Sequence, residues 1–306
     1  VGKNALCSAT SGNSNTALGA LALATTINGA SNTAVGTAAL QSGDCDDNNT
    51  AVGANALVNF TGSNATAVGS GAADAATSAT NLTAVGKDAL GACSEGLGNT
   101  AVGASAGAGI TTGDYCTFLG YASGLQTTGL RNTFVGSDAG AYATTTDDCI
   151  AIGYSALKAA DSAGDDSDNA TGNNNIAVGS YALDAATTAS ESVAIGYNSL
   201  TSTTTGGANV AIGNLAGQNT TGNNNVIVGN DAGKFTTGVD HCIAIGKAAL
   251  KGDGSTAPDG DYNIAIGSYT LDAATTGANN VCIGHEAGTA ITSAGGAVAI
   301  GYEALE

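Results

Sequence analysis

The sequence predicts an all-β chain folded as a parallel β-solenoid, a β-roll of about seventeen stacked coils. Three observations carry that expectation. A motif of a β-branched residue, a small one, a branched apolar one and glycine recurs throughout, as in Asn263-Ile264-Ala265-Ile266-Gly267. Its glycines run from Gly19 to Gly301 at steps of 16 or 17 residues, except for 26 between Gly153 and Gly179 and 21 between Gly246 and Gly267. The columns beside each glycine are chemically strict: Val, Ile or Leu one before it, nearly always Ala two before it, and often Asn four before it. A fixed period over a whole chain means an array in which no unit buries its apolar face alone.

Each coil reads as a short strand, a bend at glycine, a second short segment and a polar return. The strand begins with Thr from Thr16 to Thr133 and with Ile or Val from Ile150 to Val298. β-Branched side chains suit a pleated surface, and positions two apart share a face. That face is expected to point inward, with a structural core of Val35, Val52, Val102, Val135, Ile152, Val178, Ile195, Ile212, Val228, Ile245, Ile266, Ile283 and Ile300. The change from Thr to Ile or Val near Ile150 then implies a drier core in the second half. On the same reading Val178→Asp buries an unpaired charge. The Ala column falls on the other face, where smallness favours close approach of another wall. Ala51, Ala101, Ala177 and Ala211 are therefore expected at an interface, with Phe118, Phe134 and Ile227 as large knobs on it. Glycine tolerates the positive φ of a sharp corner. The recurrent Asn, as at Asn32, Asn49 and Asn225, is expected to form a ladder of side-chain amides. Ala, Ser or Thr stands three after glycine, and Leu or Gly four after it, with Ala73 the exception. The unbroken period makes residues 1–306 one solenoid domain, with longer coils at 154–179 and 247–267.

Composition narrows the function. The 306 residues include 47 Gly, one Pro, no Met and no Trp, so a thick core of large side chains is excluded and a narrow aliphatic one is not. Seven Lys and Arg against 25 Asp and Glu give a net charge of −18, which disfavours nucleic acid and anionic membrane as partners. No apolar run approaches the roughly 20 residues that span a bilayer, so membrane insertion is not expected. The seven Cys read as mostly free, small, buried thiols.

Candidate sites are few. Asp161, Asp165, Asp166 and Asp168 cluster in the first long coil and are the calcium candidates, since grouped carboxylates suit a hard cation. They lack the spacing of a known calcium loop, and a solvated acidic bulge is the favoured reading. Asp44, Asp46 and Asp47, and the pair Asp147-Asp148, read the same way. His241, Cys242, Cys282 and His285 resemble a zinc set in one dimension, but the register places them two coils apart and in different columns. No other cofactor is expected, and no nucleophile–base pair is visible, so an enzyme is not expected. Sequons at Asn48, Asn59, Asn64, Asn81, Asn169 and Asn219 are possible glycosylation sites on a glycosylating secretory route.

Copies such as Ser192-Val193-Ala194-Ile195-Gly196-Tyr197-Asn198-Ser199-Leu200 resemble the head repeats of trimeric autotransporter adhesins. Similar Asn-Thr-Ala-Val-Gly repeats occur in phage tail fibres and viral fibre-like proteins. The resemblance implies an all-β, left-handed parallel β-solenoid that associates with copies of itself at a cell or virion surface or outside the cell. The expected function is that of a non-catalytic structural subunit of an extracellular fibre or filament. The alternative is an adhesin or receptor-binding fibre shaft recognising a cell-surface glycan or protein receptor. The sequence opens at Val1-Gly2, partway through the motif, and closes just after Gly301. The expectation drawn from this is that copies also meet end to end.

Overall fold

The computed structural model describes all residues except 9–10, 26–27, 42–43, 160–169, 253, 255–257 and 275. It is an all-β parallel solenoid with no helix among the described residues. The chain forms two units, Val1–Asp148 and Cys149–Glu306. The first holds β1 (Thr16–Leu18), β2 (Thr33–Val35), β3 (Thr50–Val52), β4 (Thr66–Val68), β5 (Thr83–Val85), β6 (Thr100–Val102), β7 (Thr117–Leu119) and β8 (Thr133–Val135). The second holds β9 (Ile150–Ile152), β10 (Ile176–Val178), β11 (Val193–Ile195), β12 (Val210–Ile212), β13 (Val226–Val228), β14 (Ile243–Ile245), β15 (Ile264–Ile266), β16 (Val281–Ile283) and β17 (Val298–Ile300). Within each unit consecutive strands pair in parallel with unshifted register. Ala34 stands opposite Ala51 in the first unit, and Ala194 opposite Ala211 in the second. The two long coils keep that register: Ile150 pairs with Ile176 and Ile243 with Ile264.

The strand faces are the reverse of the sequence expectation. The Ala column points into the solenoid: Ala51, Ala101, Ala177 and Ala211 are fully buried, as are the knobs Phe118 and Phe134, with Ile227 almost so. None of these residues lies at a surface. The expected core column faces out. Val35, Val52, Val102, Val135, Val178, Val228 and Ile266 are half-buried, and Ile152, Ile195, Ile212, Ile245, Ile283 and Ile300 are exposed. The reason is room. A coil this short encloses a lumen only a few side chains wide, so the strand centre must be small where the opposite corner supplies a Leu. The Thr-to-Ile/Val change near Ile150 therefore alters the surface and not the core.

The lumen is filled from the corners. In the coils that carry a Leu four residues after the motif glycine, side chains such as Leu40, Leu57, Leu90, Leu157, Leu183 and Leu200 lie fully or almost fully buried. Those six Leu have φ between 47° and 52°. A non-glycine residue there costs about 1–2 kcal/mol. Burying a Leu side chain contributes about 1.5–3 kcal/mol, so packing holds the corner against its own backbone preference. A further inward column, seven after glycine, holds Phe60, Cys93, Ile110, Thr203, Thr220 and Thr236.

Strand-centre and corner residues compensate for each other. Where the strand centre is Phe118, Phe134, Ile227 or Cys282, the corner of the same coil is Gly124, Gly140, Gly233 or Gly288 in place of Leu. A Cβ on Gly124 would lie 2.3 Å from the Phe118 ring, one on Gly140 2.3 Å from the Phe134 ring, and one on Gly288 2.6 Å from Cys282 Sγ. Gly107 and Gly217, one coil earlier, make room for Phe118 and Ile227 in the same way. Phe118 and Phe134 pack on each other with ring centroids 5.8 Å apart.

The Asn column is buried and works through the backbone. Asn32 Oδ1 accepts the Asn49 N–H (2.8 Å), and Asn49 Oδ1 accepts the Ala65 N–H (2.9 Å). Asn49 Nδ2 donates to the carbonyls of Asp46 and Gly62. One direct amide–amide bond, Asn225 Nδ2 to Asn209 Oδ1 at 3.1 Å, matches the expected ladder. Cysteine takes the same place in some coils. The Cys116 thiol accepts the Asn132 N–H (3.5 Å) and donates to the Gly129 carbonyl (3.4 Å). All seven cysteines are free, with Cys7 exposed and six buried.

Two outcomes test this packing. Ala177→Asp buries an unpaired charge and abolishes the cooperative thermal transition seen by circular dichroism, whereas Val178→Asp stays folded, within about 1 kcal/mol of the parent. Phe134→Ala costs about 3–5 kcal/mol in denaturant titration. Adding Gly140→Leu to Phe134→Ala recovers a large part of that loss, while Gly140→Leu alone is destabilising.

Candidate interaction face

The alternation of each three-residue strand puts two columns on the outer sheet face, and the residue after glycine extends it by a third. In the second unit the first two columns are all Ile or Val across β9 to β17. Ile152, Ile195, Ile212, Ile245 and Ile283 each retain 37–41% exposure although stacked between neighbours, so no described residue covers them. The third column carries Tyr154, Tyr197 and Tyr302, all exposed. Tyr181 bridges the first two edge-on, at 5.3 Å from Tyr154 and 6.2 Å from Tyr197. In the first unit the same face has Thr in its first column and Val or Leu in its second.

Charge lies away from the two strand columns. Arg131 pairs with Asp148 through two bonds of 2.6 and 2.8 Å, and Lys234 lies 3.1 Å from Asp231. Lys247 sits over the Tyr269 ring. An exposed pair such as Arg131–Asp148 contributes little to stability. Aspartates six residues before glycine have a structural task that sequence reasoning missed. Asp47, Asp114, Asp147, Asp240 and Asp261 each accept a backbone N–H of the preceding coil at 2.6–2.8 Å. The signal was their fixed offset from glycine.

The calcium candidates Asp161, Asp165, Asp166 and Asp168, and the sequon Asn169, lie outside the described residues. A recess of about 490 Å³ in the first unit is lined by Asn28, Gly29, Asp44, Cys45, Asp46, Asp47, Asn48, Ser63 and Asn64. Asp44 there already accepts the Asn28 backbone N–H and its side-chain amide, and Asp47 the Ala30 N–H. No cluster of three metal-ligating side chains occurs among the described residues. His241 instead stacks flat on Tyr262 at 5.0 Å and His285 on Tyr302 at 5.6 Å, while Cys242 and Cys282 are buried. Asn48, Asn59, Asn64 and Asn81 are exposed, and Asn219 is half-buried beside Ser202.

Among the described residues Asp184 is the one carboxyl pushed up to about 6, chiefly by burial, against its own backbone hydrogen bond and nearby Lys158. Burial also raises Asp272, at the equivalent place after Leu271. No helix is long and apolar enough to cross a membrane among the described residues. No protein-family model matches the chain, and no curated protein matches it.

A carboxyl whose folded pKa is raised gives its full stability below the unfolded value and loses it as pH rises through the folded value. Between about pH 4 and 6 the chain should therefore lose stability through Asp184. Asp184→Asn should gain about 1 kcal/mol at pH 7.5, discounted for partial solvent screening, and little at pH 4 in denaturant titrations.

Proposed function

We propose that this chain is a non-catalytic structural subunit of an extracellular fibre, assembled by lateral packing of β-solenoids. The observation that carries the reading is the uncovered Ile/Val face of the second unit. A continuous exposed apolar face of this kind marks an interaction surface on a soluble protein. A net charge of −18 opposes association elsewhere on the surface, and these two uncharged columns are where a like-charged copy can approach. A second copy also offers side chains at the matching coil spacing, so ridges and grooves interdigitate along the whole face, as in a dry zipper. The lateral contact thus belongs to the Ile/Val columns and not to the Ala column.

A second reading, recognition of a surface glycan, draws on the exposed rings of Tyr154 and Tyr197 beside that face. The two readings separate experimentally. Sedimentation and electron microscopy of the full chain should show assemblies larger than a 29.0 kDa monomer. Ile212→Asp combined with Ile245→Asp should disperse them without loss of the far-ultraviolet circular dichroism signal. A monodisperse parent at high concentration overturns the fibre reading. Glycan-array binding lost in Tyr154→Ala and Tyr197→Ala supports the second.

A further inference from the structure

We propose that the Thr/Val face of the first unit is a binding surface for ordered water, and specifically for a growing plane of ice. The face is built from β1 to β8 in unshifted register. Thr16, Thr33, Thr50 and Thr66 stand opposite one another in turn, as do Leu18, Val35, Val52 and Val68, and the pattern continues to Thr133 and Val135. It is therefore a two-column grid with about 4.8 Å between coils and about 6.6 Å between columns. Hexagonal ice presents rows of oxygen atoms whose repeats are close to both distances.

The chemistry of the grid fits that occupant. Among the described residues none of the eight strand threonines makes a side-chain hydrogen bond, and all eight are exposed or half-exposed. Threonines elsewhere behave differently: Thr61, Thr77 and Thr128 donate to carbonyls of the next coil at 2.9–3.1 Å. The strand hydroxyls are thus a row of free donors and acceptors at fixed spacing. Each sits beside its own methyl and a Val or Leu, which displaces disordered water and leaves the hydroxyl to join a lattice. The two columns carry no charge, and the lattice is neutral. Lys87, at the edge of the face, is paired with Asp88 at 2.7 Å. A dry protein partner suits the face poorly, because it would bury eight hydroxyls for which the chain supplies no partner. The face is also preformed, its strands hydrogen-bonded coil to coil, so little ordering entropy opposes adsorption. The second unit lacks this property, because its first column is Ile or Val. The inference stands apart from the fibre reading, which uses the other unit.

The test uses the full chain and ice itself. Ice crystals grown in its solution are watched for faceting, recrystallisation inhibition is measured, and uptake of the dye-labelled chain into a growing ice hemisphere is followed by fluorescence. The parent should shape the crystals and enter the ice. Thr66→Tyr and Thr83→Tyr place bulk in the middle of the grid and should require at least tenfold more protein for equal inhibition. Glu95→Tyr, exposed in a loop of the same unit, should match the parent. Circular dichroism and sedimentation of each variant separate loss of the face from loss of fold or assembly. Ice growth unchanged by the parent overturns the proposal. So does a folded Thr83→Tyr as active as the parent. A Thr83→Tyr variant that changes the sedimentation coefficient while the parent leaves ice unaffected would assign the face to a protein partner and would also overturn it.

Discussion

Everything in this molecule depends on how closely the motif glycines stack. Across Gly36, Gly53, Gly86, Gly103 and Gly120 the backbone holds φ between 137° and 142°. A Cβ on any of these would lie 2.2–2.5 Å from the carbonyl oxygen of the next glycine in the column. Both conditions exclude every L side chain: the dihedral is one that only glycine adopts readily, and the space is taken by backbone. This contact brings successive coils to strand-pairing distance at a fixed place. Registration of the three-residue strands follows, and with it the straightness of every column. The long coils show the strength of the constraint. The extra residues between Gly153 and Gly179 leave the register unchanged, with Ile150 still opposite Ile176.

Stacking alone would leave a hollow tube, and the corners close it. The buried Leu corners accept an unfavourable φ because the burial they gain outweighs its cost. Where the strand centre grows to Phe or Ile, the corner becomes Gly, which removes both the strain and the side chain. The lumen therefore holds a nearly constant volume, supplied from either side. The Asn column adds specificity to this packing. Its carboxamides satisfy backbone groups of adjacent coils that would otherwise be buried unpaired, and a thiol at Cys116, Cys149 or Cys242 does the same with longer bonds.

Much of this was legible in the sequence. The period gave the coils and the Gly column the bends, whereas the amide ladder expected of the Asn column is met by one direct pair, the rest of that column bonding to backbone groups. The strand faces were not legible from hydrophobicity, because size and not polarity decides which side of a three-residue strand enters a narrow lumen. Val and Ile are the more apolar residues, yet Ala177 is inside and Val178 is not. The clue was present in the pairing of Phe118 with Gly124 and Phe134 with Gly140, since a bulky residue and a vacated corner in one coil can only be neighbours in a shared interior. The left-handed dihedrals at Leu corners had no sequence signal, because the fold imposes them against propensity. Charge alone reads Asp47 and Asp147 as solvated acidic groups, when their offset from glycine marks them as backbone acceptors.

Because the core is carried by Ala, Leu, Gly and Asn, the outward columns are free of folding duties. An outward Thr and an outward Ile are equivalent to the lumen, and the two units exploit that freedom differently. From Thr16 to Thr133 the first outward column offers hydroxyls to solvent; from Ile150 onward it offers only hydrocarbon. The register is unshifted within each unit, so the difference is one of surface chemistry written onto the same repeat. A wet, hydroxylated grid and a dry, aliphatic one call for different occupants, since burying free hydroxyls against protein carries a desolvation cost that burying Ile does not. Each unit thereby presents a face built on the same repeat, the two differing in solvation, and the residue at a single position of the repeat determines which.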